Sequence, residues 1–277
     1  GRWGDSRSPA YGELSHYYLE FKRPKVNRKE IWGEPRDHAD VRSVFVSFIE
    51  GRIHSLPWCE LPPTRETQLI SSNLKLLNEH GFLTINSQPR VNGAPSTDPD
   101  VGWGGEGGYV YQKAYVEFFC SPESWQGLQQ AFGSFPALSY HAINAQGVEY
   151  INCPKDHANA VTWGVFPGRE VVQPTIVDPR SFVAWKDEAF ELWMTQWATA
   201  YPQDSVAHAT IQQIHDTYFL VNIVDNDYTE AADIFAVFKK AITDSMDEAA
   251  LRDRVMQVET ENDHLREALG QLRALHH

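Results

Sequence analysis

Apolar residues recur along this chain at two periods, which sort most of it into helices and strands. In DVRSVFVSFIEG, Val41, Val44, Phe45, Phe48 and Ile49 fall at i, i+3, i+4, i+7 and i+8. That spacing is one face of a helix, and Gly51 supplies its stop. A second helix is predicted after Pro62 and Pro63. Thr64 is its N-cap, Leu69, Ile70, Leu74 and Leu77 are its apolar face, and Gly81 ends it. Further helices are predicted over Gly12 to Phe21, over PESWQGLQQAF, and over a Trp-rich stretch from Ser181 to Ala200. A last one, TEAADIFAVFKKAI, is capped by Thr229.

The period-2 and continuous apolar runs predict strands. Phe82 to Ile85 reads as a short strand broken at Asn86-Ser87-Gln88-Pro89. RVNGAPSTDPDVGWGGEGG reads as a loop, and YVYQKAYVEFF as one long β segment. ALSYHAIN and GVEYIN form a hairpin about Ala145-Gln146, residues 160 to 177 give two strands around Pro167-Gly168, and DTYFLVNIV is a buried strand. Strands and helices are intermixed without regular βα alternation. The expected class is therefore α+β, with mixed or antiparallel sheets flanked by helices and a further C-terminal helix.

The tail changes character. Leu251, Val255, Val258, Asn262, Leu265, Leu269 and Leu272 follow one another at alternating intervals of 4 and 3. This is an a/d coiled-coil seam with Asn262 at an a position, which favours a parallel pair. The g-to-e′ pairs of such a pair, Asp247–Arg252, Arg254–Glu259 and Glu261–Arg266, are all opposite in sign. The expected organisation is a domain over 1–246 and a heptad helix over 247–277. A parallel homodimer through that helix is the expected partner arrangement. Packing of the helix on its own domain is the alternative.

Composition narrows the classes. The chain has 277 residues, 42% of them hydrophobic, with nine Trp and fourteen Phe, enough for a sizeable core. A net charge of -13 argues against nucleic acid and anionic membranes, both of which need a basic footprint. Cys59, Cys120 and Cys153 are too few for a closed disulfide framework, so reduced thiols in the cytoplasm are expected. No apolar signal core or membrane-length run occurs. The start without Met suggests an excised piece. His276 and His277 are given no role.

Two motifs suggest chemistry and are weighed against plainer readings. Gly102 to Gly107 matches G-x-G-x-x-G, but the dinucleotide fingerprint needs a strand before it and a helix after it. Here a strand-like run follows, so a glycine loop between strands is expected. Asp225-Asn-Asp227-Tyr-Thr229 after an apolar strand resembles a phosphatase nucleophile loop. A strand-to-helix turn capped by Thr229 is the simpler account. The histidines are scattered without zinc spacing, and His141 and His215 read as structural. No catalytic residue and no metal site is predicted. Polar clusters beside apolar walls suggest a binding pocket instead. Thr64-Arg65-Glu66-Thr67 sits at a helix start, Thr84 to Gln88 at a strand end, and Thr162 and Thr175 on apolar strands.

GRWG with SPAYGEL, LTINSQP, VGWG with GGYVYQKAYVEFF, NAVTWGVFPGREVVQPTIVDP, FVAWKDEAFELW and IHDTYFLVNIVDND occur in this order from Gly1 to about Ile242. Together they resemble the regulatory domain of eukaryotic-type methylenetetrahydrofolate reductase. The resemblance implies a domain that binds S-adenosylmethionine, which inhibits, or S-adenosylhomocysteine, and that forms the homodimer. It also implies that the full-length enzyme is a flavin oxidoreductase, with a TIM barrel that uses FAD and NAD(P)H to reduce methylenetetrahydrofolate to methyltetrahydrofolate. That barrel is not in this sequence, and no cofactor is expected in this piece. Carried over residue by residue, the ligand contacts are Ala10, Cys59, Thr64, Arg65, Glu66, Thr67, Thr84, Ile85, Asn86, Ser87, Gln88, Thr162 and Thr175. Cys59 stands where the family has a polar amide, and Thr64-Arg65 replaces smaller residues. The tail from Asp247 lies beyond the resemblance. A stand-alone binding module and a phosphatase using Asp225 and Asp227 are the alternative functions.

Overall fold

The computed structural model describes residues 31–56, 62–102, 107–152, 163–166, 206–226 and 234–245, the third-last of these spans by its backbone alone. The helices are α1 His38–Ile49, α2 Arg65–Leu69, α3 Ser71–Glu79, α4 Pro122–Phe132, α5 Val206–Thr217 and α6 Ile234–Ser245. The strands are β1 Leu83–Gln88, β2 Val91–Pro95, β3 Tyr109–Gln112, β4 Tyr115–Cys120, β5 Leu138–Asn144, β6 Glu149–Asn152, β7 Trp163–Phe166 and β8 Phe219–Asp225. Among the described residues every strand pairing is antiparallel, in a five-stranded sheet β1-β4-β8-β5-β6 and a three-stranded sheet β2-β3-β7. The class is α+β, as expected.

The two central strands explain the apolar runs. Every residue of β4 and of β8 is buried, so both faces of the large sheet are covered. One face carries Val116, Phe118, Cys120, Val221 and Ile223 against Trp125 and Leu128 of α4 and Phe235 and Phe238 of α6. The other carries Phe119, Leu220 and Ile143 against Ile211 and Ile214 of α5. Helix α1 packs with α3 beside β1, an edge strand, and contributes to both clusters. Its start is set by Asp37, whose side chain accepts from the Asp40 amide. Likewise Ser121 caps α4, with Pro122 at the first position, where no donor is needed.

Five local readings are corrected. The helix predicted from Thr64 to Gly81 is two, broken at Ile70, whose φ and ψ are -115° and 8°. The break turns Ile70 into the core with Leu74 and leaves Leu69 56% exposed. Strand β1 runs on through Asn86 to Gln88 because those residues pair with Glu117, Val116 and Tyr115. The predicted loop contains β2, whose bulge holds Gly93 at φ +73°. The single run from Tyr109 divides at Lys113-Ala114, and its halves join different sheets. Helix α5 was not predicted at all. Its buried face, Ala207, Thr210, Ile211 and Ile214, has helical spacing but only two large apolar residues.

The described part of the last predicted helix begins at Ile234. The predicted helices at Gly12 to Phe21 and Ser181 to Ala200, the second strand of residues 160 to 177, Thr229 and the heptad tail lie outside the described residues. No described helix is long and apolar enough to cross a membrane.

Candidate ligand site

Pro62 and Pro63 end one segment, and Thr64 opens α2 by accepting a hydrogen bond from the Thr67 amide at 3.2 Å. The two threonine hydroxyls also meet at 2.8 Å. Thr64 and Thr67 line a cavity of about 300 Å³. Phe45, Phe48 and Ile49 of α1 and Leu74 of α3 form its apolar wall. Thr84, Ile85, Asn86 and Ser87 of β1 line the cavity too. Two polar clusters separated by about twenty residues in sequence therefore meet beside one apolar surface, the usual composition of a small-molecule site.

A bulge shapes the β1 wall. Thr84 pairs with Phe118, and Asn86 pairs with Glu117, with the register shifting between them. In an unbroken strand Thr84 and Asn86 would share a face. The extra residue sets Asn86 opposite Glu117, where an unbroken strand would have set it opposite Val116. Behind it a polar row crosses the sheet at one level: Asn86, Glu117, Asn222 and His141. Glu117 is 1% exposed, and burial pushes its carboxyl up to about 8. Burial, with the Glu117 and Glu66 charges, also raises the Tyr115 phenol.

The other predicted residues are placed differently. Glu66 does not line the cavity. It is partly buried and turns to β3, where Gln112 Nε2 donates to its Oε1 at 3.2 Å and to the Pro89 carbonyl at 2.8 Å. Burial raises the Glu66 carboxyl above its ordinary value, and the Gln112 bond partly opposes this. Arg65 is exposed and also stays outside the cavity. Gln88 Nε2 donates to the Lys113 carbonyl at 2.6 Å, tying β1 to the crossing between sheets. Ala10, Cys59, Thr162 and Thr175 lie outside the described residues. β7 begins directly after Thr162 and pairs with β3, in register Gln112 with Trp163.

Sequence reasoning missed Gln112, Glu117, Asn222 and Asn78. The available signal was a polar residue interrupting an apolar run, as in YVEFF and FLVNIV. His141, expected to be half-buried, is fully buried, with Nε2 2.6 Å from Glu149 Oε1. Cys120 is a free, buried thiol whose pKa burial raises.

The rival chemistries fare poorly. Asp225 is fully buried at the end of β8, and its amide donates to the Ala114 carbonyl at 2.9 Å. Asp227 is outside the described residues. Gly102 closes a turn on Asp98 between β2 and β3, and a Cβ there would lie 2.4 Å from two backbone oxygens. That is a hairpin connection rather than a phosphate loop leading into a helix. His215, in the last turn of α5, meets Asp216 at 2.7 Å on the exposed surface. Among the described residues no group of three His, Cys, Asp or Glu side chains is arranged to hold a metal.

Curated relatives are similar over 84–87% of this chain. A "Probable methylenetetrahydrofolate reductase (NADH)" of Oryza sativa subsp. japonica is 49% identical over 245 residues, 87% of this chain and 41% of that protein. A "Probable methylenetetrahydrofolate reductase (NADPH)" of Caenorhabditis elegans is 46% identical over 258 residues, 87% of this chain and 39% of that protein. "Methylenetetrahydrofolate reductase 1" of Schizosaccharomyces pombe is 44% identical over 240 residues, 87% of this chain and 40% of that protein. The chain thus spans about two-fifths of the length of the relatives it matches. The family model described as "MTHFR, SAM-binding regulatory domain" matches residues 1–247, and the chain belongs to that family.

Proposed function

We propose that this chain is the allosteric domain of a cytoplasmic methylenetetrahydrofolate reductase and binds S-adenosylmethionine or S-adenosylhomocysteine. The observation that carries the reading is the meeting of Thr64 and Thr67 with Thr84 to Ser87 beside one apolar wall. In the full-length enzyme a flavin barrel would reduce methylenetetrahydrofolate with NAD(P)H, and ligand exchange here would bias it. The two ligands differ by one methyl and one positive charge at sulfur. A close apolar contact, assigned to Ala10, turns that difference into unequal affinity for two conformations of the domain. Unequal affinity is the only way a ligand can shift such an equilibrium.

Glu66 supplies an acceptor for the ligand's ammonium or ribose hydroxyls. In this reading the ligand extends from the cavity past Thr67 toward Glu66, which is turned to Gln112. Titration calorimetry of the chain with each ligand tests the reading. Wild type is expected to bind both, and Glu66→Ala to bind both about tenfold more weakly, the size expected for a hydrogen bond to a charged group. No heat and no thermal shift with either ligand would refute the proposal.

The homodimer is part of the same reading and is assigned to the heptad helix from Asp247. Truncation after Met246 is expected to convert dimer to monomer by mass measurement in solution. An unchanged dimer would place the contact elsewhere, and monomers in both forms would remove it.

A further inference from the structure

Asn78 is fully buried near the end of α3 and does not line that cavity, yet two of its three side-chain bonds hold Thr84, which does. Its Nδ2 donates to the Leu74 carbonyl at 2.8 Å and to Thr84 Oγ1 at 2.7 Å. Its Oδ1 accepts from the Thr84 amide at 3.3 Å. These partners fix which way the amide points. A carbonyl only accepts and a backbone N–H only donates, so the flipped amide would lose both bonds. Thr84 Oγ1 therefore receives a proton from Asn78 and cannot return its own. No described residue accepts that proton, and Thr84 forms part of the cavity wall at 5% exposure. The contrast with Thr64 and Thr67 is clear. Their mutual bond runs in either direction and fixes nothing.

We propose that Asn78 is a positioning residue that commits the Thr84 hydroxyl to donate into the cavity. The ligand group on that wall is then a hydrogen-bond acceptor, such as a ring nitrogen or a ribose or carboxylate oxygen. A ligand presenting only a donor there could use the second lone pair of Thr84 Oγ1 but would leave the hydroxyl proton without an acceptor, and is expected to bind more weakly. The identity of the ligand rests on the reading above. The polarity of the wall does not.

The test has two arms. Neutron diffraction from crystals of the deuterated, ligand-free chain is expected to show the Thr84 hydroxyl deuteron directed into the cavity. It is also expected to show an Asn78 Nδ2 deuteron on Thr84 Oγ1. A hydroxyl deuteron directed at Asn78 overturns the proposal. Calorimetry with S-adenosylhomocysteine then compares wild type, Thr84→Val, Asn78→Leu and the double variant. Each single change is expected to weaken binding about fivefold, the size of one neutral hydrogen bond. The double variant is expected to bind no more weakly than Thr84→Val, because Asn78 acts only through that hydroxyl. A loss in the double variant equal to the product of the two singles overturns the proposal. If Asn78→Leu fails to fold, the neutron arm still decides. If wild type gives no heat, the adenosyl reading fails, and the neutron arm still judges Asn78.

Discussion

Truncating Phe118 to alanine is expected to lower stability by about 3–5 kcal/mol, the range for deleting a fully buried aromatic. Phe118 lies on β4, one of the two fully buried strands, with no exposed surface. Its ring meets Phe82 at 5.5 Å and 86° and Phe238 at 5.1 Å and 69°, and those two rings meet each other at 5.2 Å and 79°. These edge-to-face contacts join the start of β1, the sheet centre and α6 in one triangle, and each adds to the area it buries. No other side chain in the triangle can close the void without moving a strand or a helix, so little relaxation is available. Domains of this size keep roughly 5–15 kcal/mol in all, so the variant should unfold at markedly lower urea. Phe118→Leu keeps most of the volume and should lose much less. A loss under about 1 kcal/mol for the alanine variant would mean that α6 does not pack on this face.

The triangle was partly legible in the sequence, and the reason is periodicity. β4 and β8 read as apolar runs because both faces are covered, and α1 because its apolar residues hold one face over three turns. The division at Lys113-Ala114 was not legible, since the dip in β propensity there is only two residues long and carries no turn residue, while the pairing partners change. The bulge at Ile85 was equally hidden, because it depends on register against Glu117 and Phe118 rather than on any local preference. Of the site, the two polar clusters were visible as clusters, but their meeting was not. Asn78 and Gln112 were missed because each acts at a distance: one six residues away across a helix-to-strand turn, the other forty-six residues from Glu66. The family resemblance named the walls. The geometry added the amides of Asn78 and Gln112, which bond to Thr84 and Glu66, and the finding that Glu66 faces Gln112 rather than the cavity.

Glu117→Gln should remove the pH dependence that the buried acid imposes. In the folded chain the Glu117 carboxyl titrates at about 8, whereas its ordinary value is 4.5. Between those limits the folded state holds a proton that the unfolded state has released. Raising the pH through this window therefore erodes stability, by about 1.4 kcal/mol per unit. His38 acts in the opposite sense. Burial first, and Arg42 next, lower its ring from 6.5 to about 4, so the folded state keeps it neutral while the unfolded state protonates. Falling pH then erodes stability between 6.5 and 4. The two slopes oppose each other below pH 6.5, and from 6.5 to 8 the Glu117 slope is no longer offset by His38. Across that upper window the wild type should lose about 2 kcal/mol relative to Glu117→Gln, which has nothing to ionise and nearly the same shape. Urea unfolding of both proteins at half-unit steps from pH 6.5 to 8 measures the divergence. Parallel stability curves would show that Glu117 is already ionised in the fold, with its charge matched elsewhere in the polar row. Diverging curves would identify the carboxyl behind Asn86 as a neutral acid at the pH where the domain works. Asn86 would then meet an uncharged partner on one side and the cavity on the other.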